Sequence, residues 1–322
     1  MRKSIHLWIG FLFAAVCLYV AFHGISFREM GGAFRQAHGG PIFLALAIYI
    51  VDFLLRAKRW AVLIEPVRPA RPADLFWVMM IGFFANNVLP LRMGELVRAH
   101  ACGTKFGISR TASLGTILLE RLCDTLSFLT TFLVASLFFP FPPYMKKGAW
   151  LLGGSCITVI IGLFLVQHHE ETFRKILEWS PLPEKWKTRI HDVTTHFLHS
   201  TSGIRNPRFV IEAMAFSLVV WVIEGTFLYL VSQAFAINLN YAGAFFLLFA
   251  LGLSVTLPQA PGFVGTFELF GVTALALLGI PKNQGLPVVI AIHGLQFIFI
   301  AILGSFALWK EGLSLHNLTS TS

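Results

Sequence analysis

Glu120, Arg121 and Asp124 lie inside an otherwise apolar run, residues 113–139, and Glu120 and Asp124 are one helical turn apart, so their carboxylates share a face. A charge within an apolar run is expensive and is kept where it has a partner or a task. Upstream, Asn86-Asn87-Val88-Leu89-Pro90-Leu91-Arg92-Met93-Gly94-Glu95-Leu96-Val97-Arg98 interrupts a second apolar run and supplies Asn86, Asn87, Arg92, Glu95 and Arg98. Downstream, Pro258-Gln259-Ala260-Pro261-Gly262 breaks a third run, and Glu268 follows. Arg92, Arg98 and Arg121 could receive a phosphate, because a guanidinium presents a planar fork of donors and stays charged when desolvated. Amides freed at the two breaks would add donors, as helix starts do for anions. Glu95, Glu120 and Asp124 would hold those arginines or meet a cationic headgroup. A second reading stands beside this one: Glu95, Glu120, Arg121 and Asp124 form an ion-pair network that locks the first broken element to its neighbour.

The remaining polar residues in apolar runs carry less. Asp52, Glu212 and Glu224 read as lone carboxylates near helix ends that reach the interface. Arg56, Lys58, Arg59 and Trp60 read as positive-inside and aromatic-belt residues, with steering of anionic headgroups as the alternative. His293 and Gln296, on one helix face, read as a satisfied pair rather than a proton relay. Cys17, Cys102, Cys123 and Cys156 have no CxxC spacing and read as packing residues. There is no HExxH, no Cys/His cluster, no GxSxG and no phosphate-binding glycine loop, so no metal and no cofactor is expected. An enzyme would have to be a carboxylate-based transferase in which Glu95, Glu120 and Asp124 face a lipid-linked phosphate beside Arg92.

The elements that position these residues follow from composition. In 322 residues, 56% are hydrophobic and only 13% charged, with a mean hydropathy of +0.72, whereas soluble domains are about 25% charged. This is the composition of an integral membrane protein. The net charge of +9 is spread between apolar runs, which argues against nucleic acid as a partner. Runs long enough to cross about 30 Å of hydrocarbon are residues 5–24, 41–55 (extended to 63), 113–139, 149–167, 209–235 and 285–309. The first lacks the short core and small-residue cleavage site of a removable signal, so it counts as a span. Prolines interrupt the other two, residues 75–110 and 243–280, and a broken helix at membrane depth is tolerated where it is buried in protein or lines a wet cavity.

Charge placement sets the threading. If residues 75–89 crossed fully, two basic segments would face outward, against the positive-inside rule. A re-entrant turn at Asn86–Pro90 instead puts nineteen of the 25 lysines and arginines on the cytoplasmic side and five outside, with both termini cytoplasmic. The expected fold is an all-α polytopic membrane protein of six spanning helices plus two broken or re-entrant helical hairpins, one entering from each face. Leu89-Pro90 with Gly94-Glu95 after it faintly echoes Leu257-Pro258 with Gly265 and Glu268 after it, as an inverted repeat would. One membrane domain then comprises a first half, 1–167, a cytoplasmic segment, 168–208, and a second half, 209–322. The middle segment is too short for a core of its own. Its Trp179, Trp186, Ile190, Val193 and Phe197 among cations suggest a helix lying on an anionic leaflet, or a solvated loop.

The run 82–98, then Glu120-Arg121-Leu122-Cys123-Asp124, then residues 258–268, with Arg59-Trp60 ahead of them, resemble the lysylphosphatidylglycerol synthase transmembrane, or flippase-like, family over residues 59–268. The resemblance implies that Asn87, Arg92, Glu95, Arg98, Glu120, Arg121, Asp124, Pro258, Gly262 and Glu268 line or brace a lipid path, with Asn86 and Gln259 beside them. The chain looks like a stand-alone member without the aminoacyltransferase domain, which leaves a lysyl lipid in doubt and points to a transporter rather than an enzyme. The expected partner is a membrane lipid (a phospholipid, a polyprenyl-phosphate-linked lipid or a hopanoid), with lipid-biosynthetic enzymes and a homo-oligomer compatible with that role. The expected function is movement of an anionic or zwitterionic amphiphilic lipid across the inner membrane. The rivals are a lipid-modifying transferase and a lipid-binding scaffold. A proton-coupled version would use Glu120, Asp124 or Glu268.

Overall fold

The computed structural model describes residues 2–89, 93–138, 142–169, 179–180, 183–255 and 260–314. Among them are twelve α-helices and no strand. In chain order these are α1 Arg2–Phe22, α2 Phe27–Gln36, α3 Gly39–Ile64, α4 Pro72–Val88, α5 Gly94–Phe106, α6 Arg110–Ser136, α7 Pro143–His168, α8 Glu184–Thr201, α9 Pro207–Ala234, α10 Tyr241–Ser254, α11 Thr266–Leu277 and α12 Lys282–Lys310. Local chemistry sets their starts. Ser109 accepts the Ala112 amide to begin α6, Asn240 accepts the Gly243 amide to begin α10, and Pro72, Pro143 and Pro207 open helices where a missing N–H costs nothing.

Four described helices are long and apolar enough to cross a membrane: α3, α9, α12 and the Lys146–Leu165 part of α7. A fifth is added if Leu12–Phe22 and α2, bent by 77° at residues 23–26, form one span. The sequence leads one to expect six ordinary spans. α6 has the length, 27 residues, but its charged residues keep it from reading as apolar, and it sits with those charges turned inward against α3 and α5. Leu44, Ile50 and Leu54 on α3, Val219 and Val222 on α9, and Ile298 and Ile302 on α12 point outward and exposed, as lipid-facing residues do.

The two interrupted runs each fold as a packed helix pair, α4–α5 and α10–α11, with their bases at opposite ends of α12. At the base of the first, Lys105 at the end of α5 pairs with Glu311 after α12 at 2.5 Å and lies 3.8 Å from Asp74 at the start of α4, while Lys310 sits 4.2 Å from the Trp77 ring. Both limbs of α4–α5 therefore root at the α12 C-terminal end. The second hairpin, α10–α11, roots at the other end. Tyr241 stacks on Tyr229 of α9 at 4.4 Å, and α11 ends four residues before α12 begins, where Lys282 binds the Val20 and His23 carbonyls closing α1. The tips meet: a Cβ at Gly262 would lie 3.4 Å from the Asn87 carbonyl.

Close backbone approach holds the first hairpin. Asn86 Oδ1 accepts the Gly94 amide at 2.8 Å, and a Cβ on Gly94 would fall 2.1 Å from Gly82 O and 2.4 Å from Asn86 Oδ1. Gly94→Ala is thus expected to lower stability by about 3 kcal/mol, at the upper end of overpacking costs. Thermal unfolding in detergent measures this, and an unchanged midpoint would show that α4 and α5 do not approach as described. In the middle segment, α8 buries Leu198, Ser200 and Thr201 and meets α6 where Gly115 leaves room for Ser200, while Trp179 and Trp186 stay exposed. Of the expected apolar face, Val193 is exposed too.

Candidate functional site

Four helices bring eight ionisable side chains into one buried network. Asp52 and Arg56 are one turn apart on α3 and pair at 2.5 Å; Arg56 also binds Glu224 of α9 at 2.8 Å. One turn further along α3, Arg59 pairs with Asp124 of α6, approaches Glu120 at 3.3 Å and donates to Ser217 of α9 at 2.8 Å. Arg98 of α5 grips both oxygens of Glu120, at 3.0 and 2.7 Å, and lies 3.6 Å from the Trp60 ring centroid, with the Trp60 indole N–H donating to Thr116. Arg121 completes the set with Glu120 at 2.5 Å and Asp124 at 3.1 Å, and Glu95 is near enough for its charge to act on Arg121. Four arginines thus balance four carboxylates, as burial demands.

Access is uneven. Arg59 and Glu120 are fully buried, whereas the Arg121 side chain is 38% exposed and is the most open member of the network. Valence is uneven too. Arg59 Nε, Arg98 Nε, Arg121 Nε and Asn87 Nδ2 are buried donors with no acceptor among the described residues, against one bare carboxylate oxygen, Asp52 Oδ1. The unfilled capacity is mostly that of donors, which suits a ligand rich in acceptor oxygens. Next to Arg121 along α6, Leu122, Cys123 and Leu126 form one wall of an apolar groove of about 410 Å³ closed by Ile160 and Phe164 of α7 and Met214 of α9. A second apolar groove, about 720 Å³, continues along the α6–α9 seam past Val134, Val222 and Phe245.

The expected site residues divide. Arg98, Glu120, Arg121 and Asp124 are joined, with Glu95 beside them. Asn86 closes the first hairpin tip, while Asn87 and Gly262 stand where the tips meet. Glu268 sits apart, bound to His293 of α12 at 2.6 Å and to the Gly265 amide at 2.7 Å. Arg92, Pro258 and Gln259 lie outside the described residues. Three readings need correction. Arg56, Arg59 and Trp60 are not interfacial: all three are buried in the network or against it. Asp52 and Glu224 are not lone carboxylates, because both hold Arg56. His293 and Gln296 are not each other's partners; His293 takes Glu268, and Gln296 reaches Glu224 at 3.4 Å.

Residues 7–304 match the family model described as the lysylphosphatidylglycerol synthase TM region. The chain is similar to two UPF0104 membrane proteins of Methanothermobacter thermautotrophicus. One is 25% identical over 278 residues, 82% of this chain and 81% of the relative; the other is 21% identical over 309 residues, 89% and 90%. A UPF0104 membrane protein of Methanocaldococcus jannaschii is 23% identical over 327 residues, 95% and 94%. With nearly the whole length matched, the chain belongs to the lysylphosphatidylglycerol synthase TM region family.

Proposed function

We propose that the protein moves an amphiphilic lipid with an anionic or zwitterionic headgroup across the inner membrane. The headgroup enters beside Arg121 and passes between the two hairpin tips while its chains stay in the bilayer, guided by the apolar grooves along α6 and α9. The observation that carries this reading is the half-open Arg121 set among buried donors that have no acceptor among the described residues. A phosphate fills such donors and brings charge that the guanidiniums neutralise, lowering the cost of low dielectric. A phospholipid, a polyprenyl-phosphate-linked lipid and a hopanoid with a charged headgroup all fit, and lipid-biosynthetic enzymes would supply or consume them. In this reading the fold is six crossings and two opposed broken hairpins, an inverted pair, with both termini cytoplasmic. Removing the buried Arg56, Arg59 and Arg98 from the charge count leaves sixteen cations inside against five outside, so the bias that supports this orientation survives. Transferase chemistry is less favoured, because the oxygens of Glu120 and Asp124 are already occupied by arginines.

Headgroup accessibility in vesicles tests the proposal. Vesicles carrying purified protein should expose labelled anionic phospholipid or polyprenyl phosphate faster than empty ones, with lipid masses unchanged. Equal rates for every lipid class would end the translocation reading, and a changed mass would favour the transferase.

A further inference from the structure

One side-chain pair holds both ends of the turn at the second hairpin tip. His293 presents Nδ1 to Glu268 Oε1 at 2.6 Å and Nε2 to the Gly262 carbonyl at 2.8 Å, and Glu268 Oε2 accepts the Gly265 amide at 2.7 Å. The turn is strained. Gly262, Phe263 and Gly265 stand at φ of 68°, 62° and 94°, and Phe263 carries a Cβ that crowds its own backbone in this region. A non-glycine residue persists there only where its surroundings hold it.

Counting protons shows what the holding requires. A carbonyl oxygen only accepts, so Nε2 carries a hydrogen. A neutral imidazole has one N–H, which would leave the Nδ1 lone pair 2.6 Å from a carboxylate oxygen, two acceptors in collision. One further proton, carried on Nδ1 so that an imidazolium donates to the Glu268 carboxylate, removes the conflict. The Phe267 ring, stacked on the imidazole at 4.5 Å, offers a cation its negative face. We propose that His293 and Glu268 together form a proton-binding site whose occupancy keeps the strained 261–265 turn closed against the end of α4, and whose proton leaves when the turn opens.

The surrounding charges do not supply this proton's role. Glu268 is the ionisable side chain in contact with the ring among the described residues. On the other elements packed against α12, Glu224 of α9 reaches Gln296 one turn along and is held by Arg56; Asp74 of α4 is bound to Arg71 and near Lys105 at the helix base; Glu29 of α2, with Arg28 and Arg35 on the same helix, lies toward the start of α12. Because the closed turn binds the proton and the open turn does not, opening is favoured as pH rises, with an equilibrium that shifts roughly tenfold per pH unit. The inference rests on the translocation reading only for what the opened tip admits.

The test uses the full chain in lipid nanodiscs. With histidines labelled in ¹⁵N and His293 assigned by comparison with His293→Gln, both ring nitrogens should carry hydrogens in the closed state. Protection of the Gly265 amide, corrected for the intrinsic pH dependence of exchange, should fall roughly tenfold per pH unit while the closed pair holds its proton, and level off once that proton is lost. Glu268→Gln should make protection pH-independent, since its amide can accept from Gly265 and donate to Nδ1 without an added proton. If His293→Gln does not fold, the wild-type titration and Glu268→Gln decide. A His293 ring with one N–H at every pH, or flat protection in the wild type, would overturn the proton site. Proton-linked opening in a protein that moves no lipid would overturn the translocation reading instead.

Discussion

Arg121→Ala is expected to slow lipid movement sharply in a protein that stays folded, whereas Glu120→Gln is expected to unfold it. The two residues are neighbours in sequence and partners at 2.5 Å, yet their surroundings differ. Glu120 is fully buried and serves Arg98 through both oxygens, Arg121 through one, and Arg59 at 3.3 Å. Neutralising it leaves Arg98 with no carboxylate and makes Arg59 and Arg121 share Asp124. Breaking a buried ion pair from one side costs about 3–5 kcal/mol, enough to empty the folded state of a marginally stable protein. Arg121 is more than one-third exposed, and without it Glu120 keeps Arg98 and Arg59 while Asp124 keeps Arg59. Its loss should cost within about 1 kcal/mol of stability. Headgroup movement should fall roughly tenfold to a hundredfold, the worth of a charged hydrogen bond of about 1.5–3 kcal/mol. Detergent unfolding midpoints and vesicle rates measured on the same preparations separate the two effects. Unchanged movement by folded Arg121→Ala would remove the phosphate role from that residue.

The long helices were legible because apolar length alone specifies them, and both breaks were legible because proline cannot continue a helix ladder. α2 escaped notice, although Ser26 and Glu29 offered a cap and a first-turn carboxylate before ten residues of mixed polarity. The network was legible only within one element. Glu120 and Asp124 one turn apart on α6 could be placed on a face from spacing, and Asp52 and Arg56 on α3 carried the same i,i+4 signal. What hid the α3 arginines was a boundary. The apolar run in the sequence stops at residue 55, so a cation after it looks interfacial, but α3 continues to Ile64 and carries Arg56, Arg59 and Trp60 inward. A tertiary partner 168 residues away, Glu224, leaves no mark on local pattern. Nor does the exchange of partners around His293, since spacing places it with Gln296 and packing gives it Glu268.

Arg56 should prove the costliest single cation to remove, and the loss should be recoverable by removing charge rather than by restoring it. Among the described residues, Arg56 is the cation paired with both Asp52, fully buried, and Glu224, nearly so. Arg56→Met leaves two carboxylates without their shared cation and adds their mutual repulsion, so the cost should reach or exceed about 3–5 kcal/mol. Adding Glu224→Gln to Arg56→Met removes the repulsion but leaves Asp52 charged, which restores only part. Adding Asp52→Asn as well leaves neutral groups of nearly native shape, and buried ion pairs replaced by neutral or apolar groups of similar volume are often near neutral in stability. The triple variant is therefore expected within about 1–2 kcal/mol of the wild type, far from the sum of its single changes, as contacting residues require. Unfolding midpoints of the single, double and triple variants measure the coupling, and additivity would mean that the three side chains do not act as one unit. Since Arg121, Glu120 and Asp124 are untouched in the triple variant, it should still move lipid if the Arg121 set receives the headgroup. Loss of movement in a folded triple variant would instead place the Asp52–Arg56–Glu224 unit on the path.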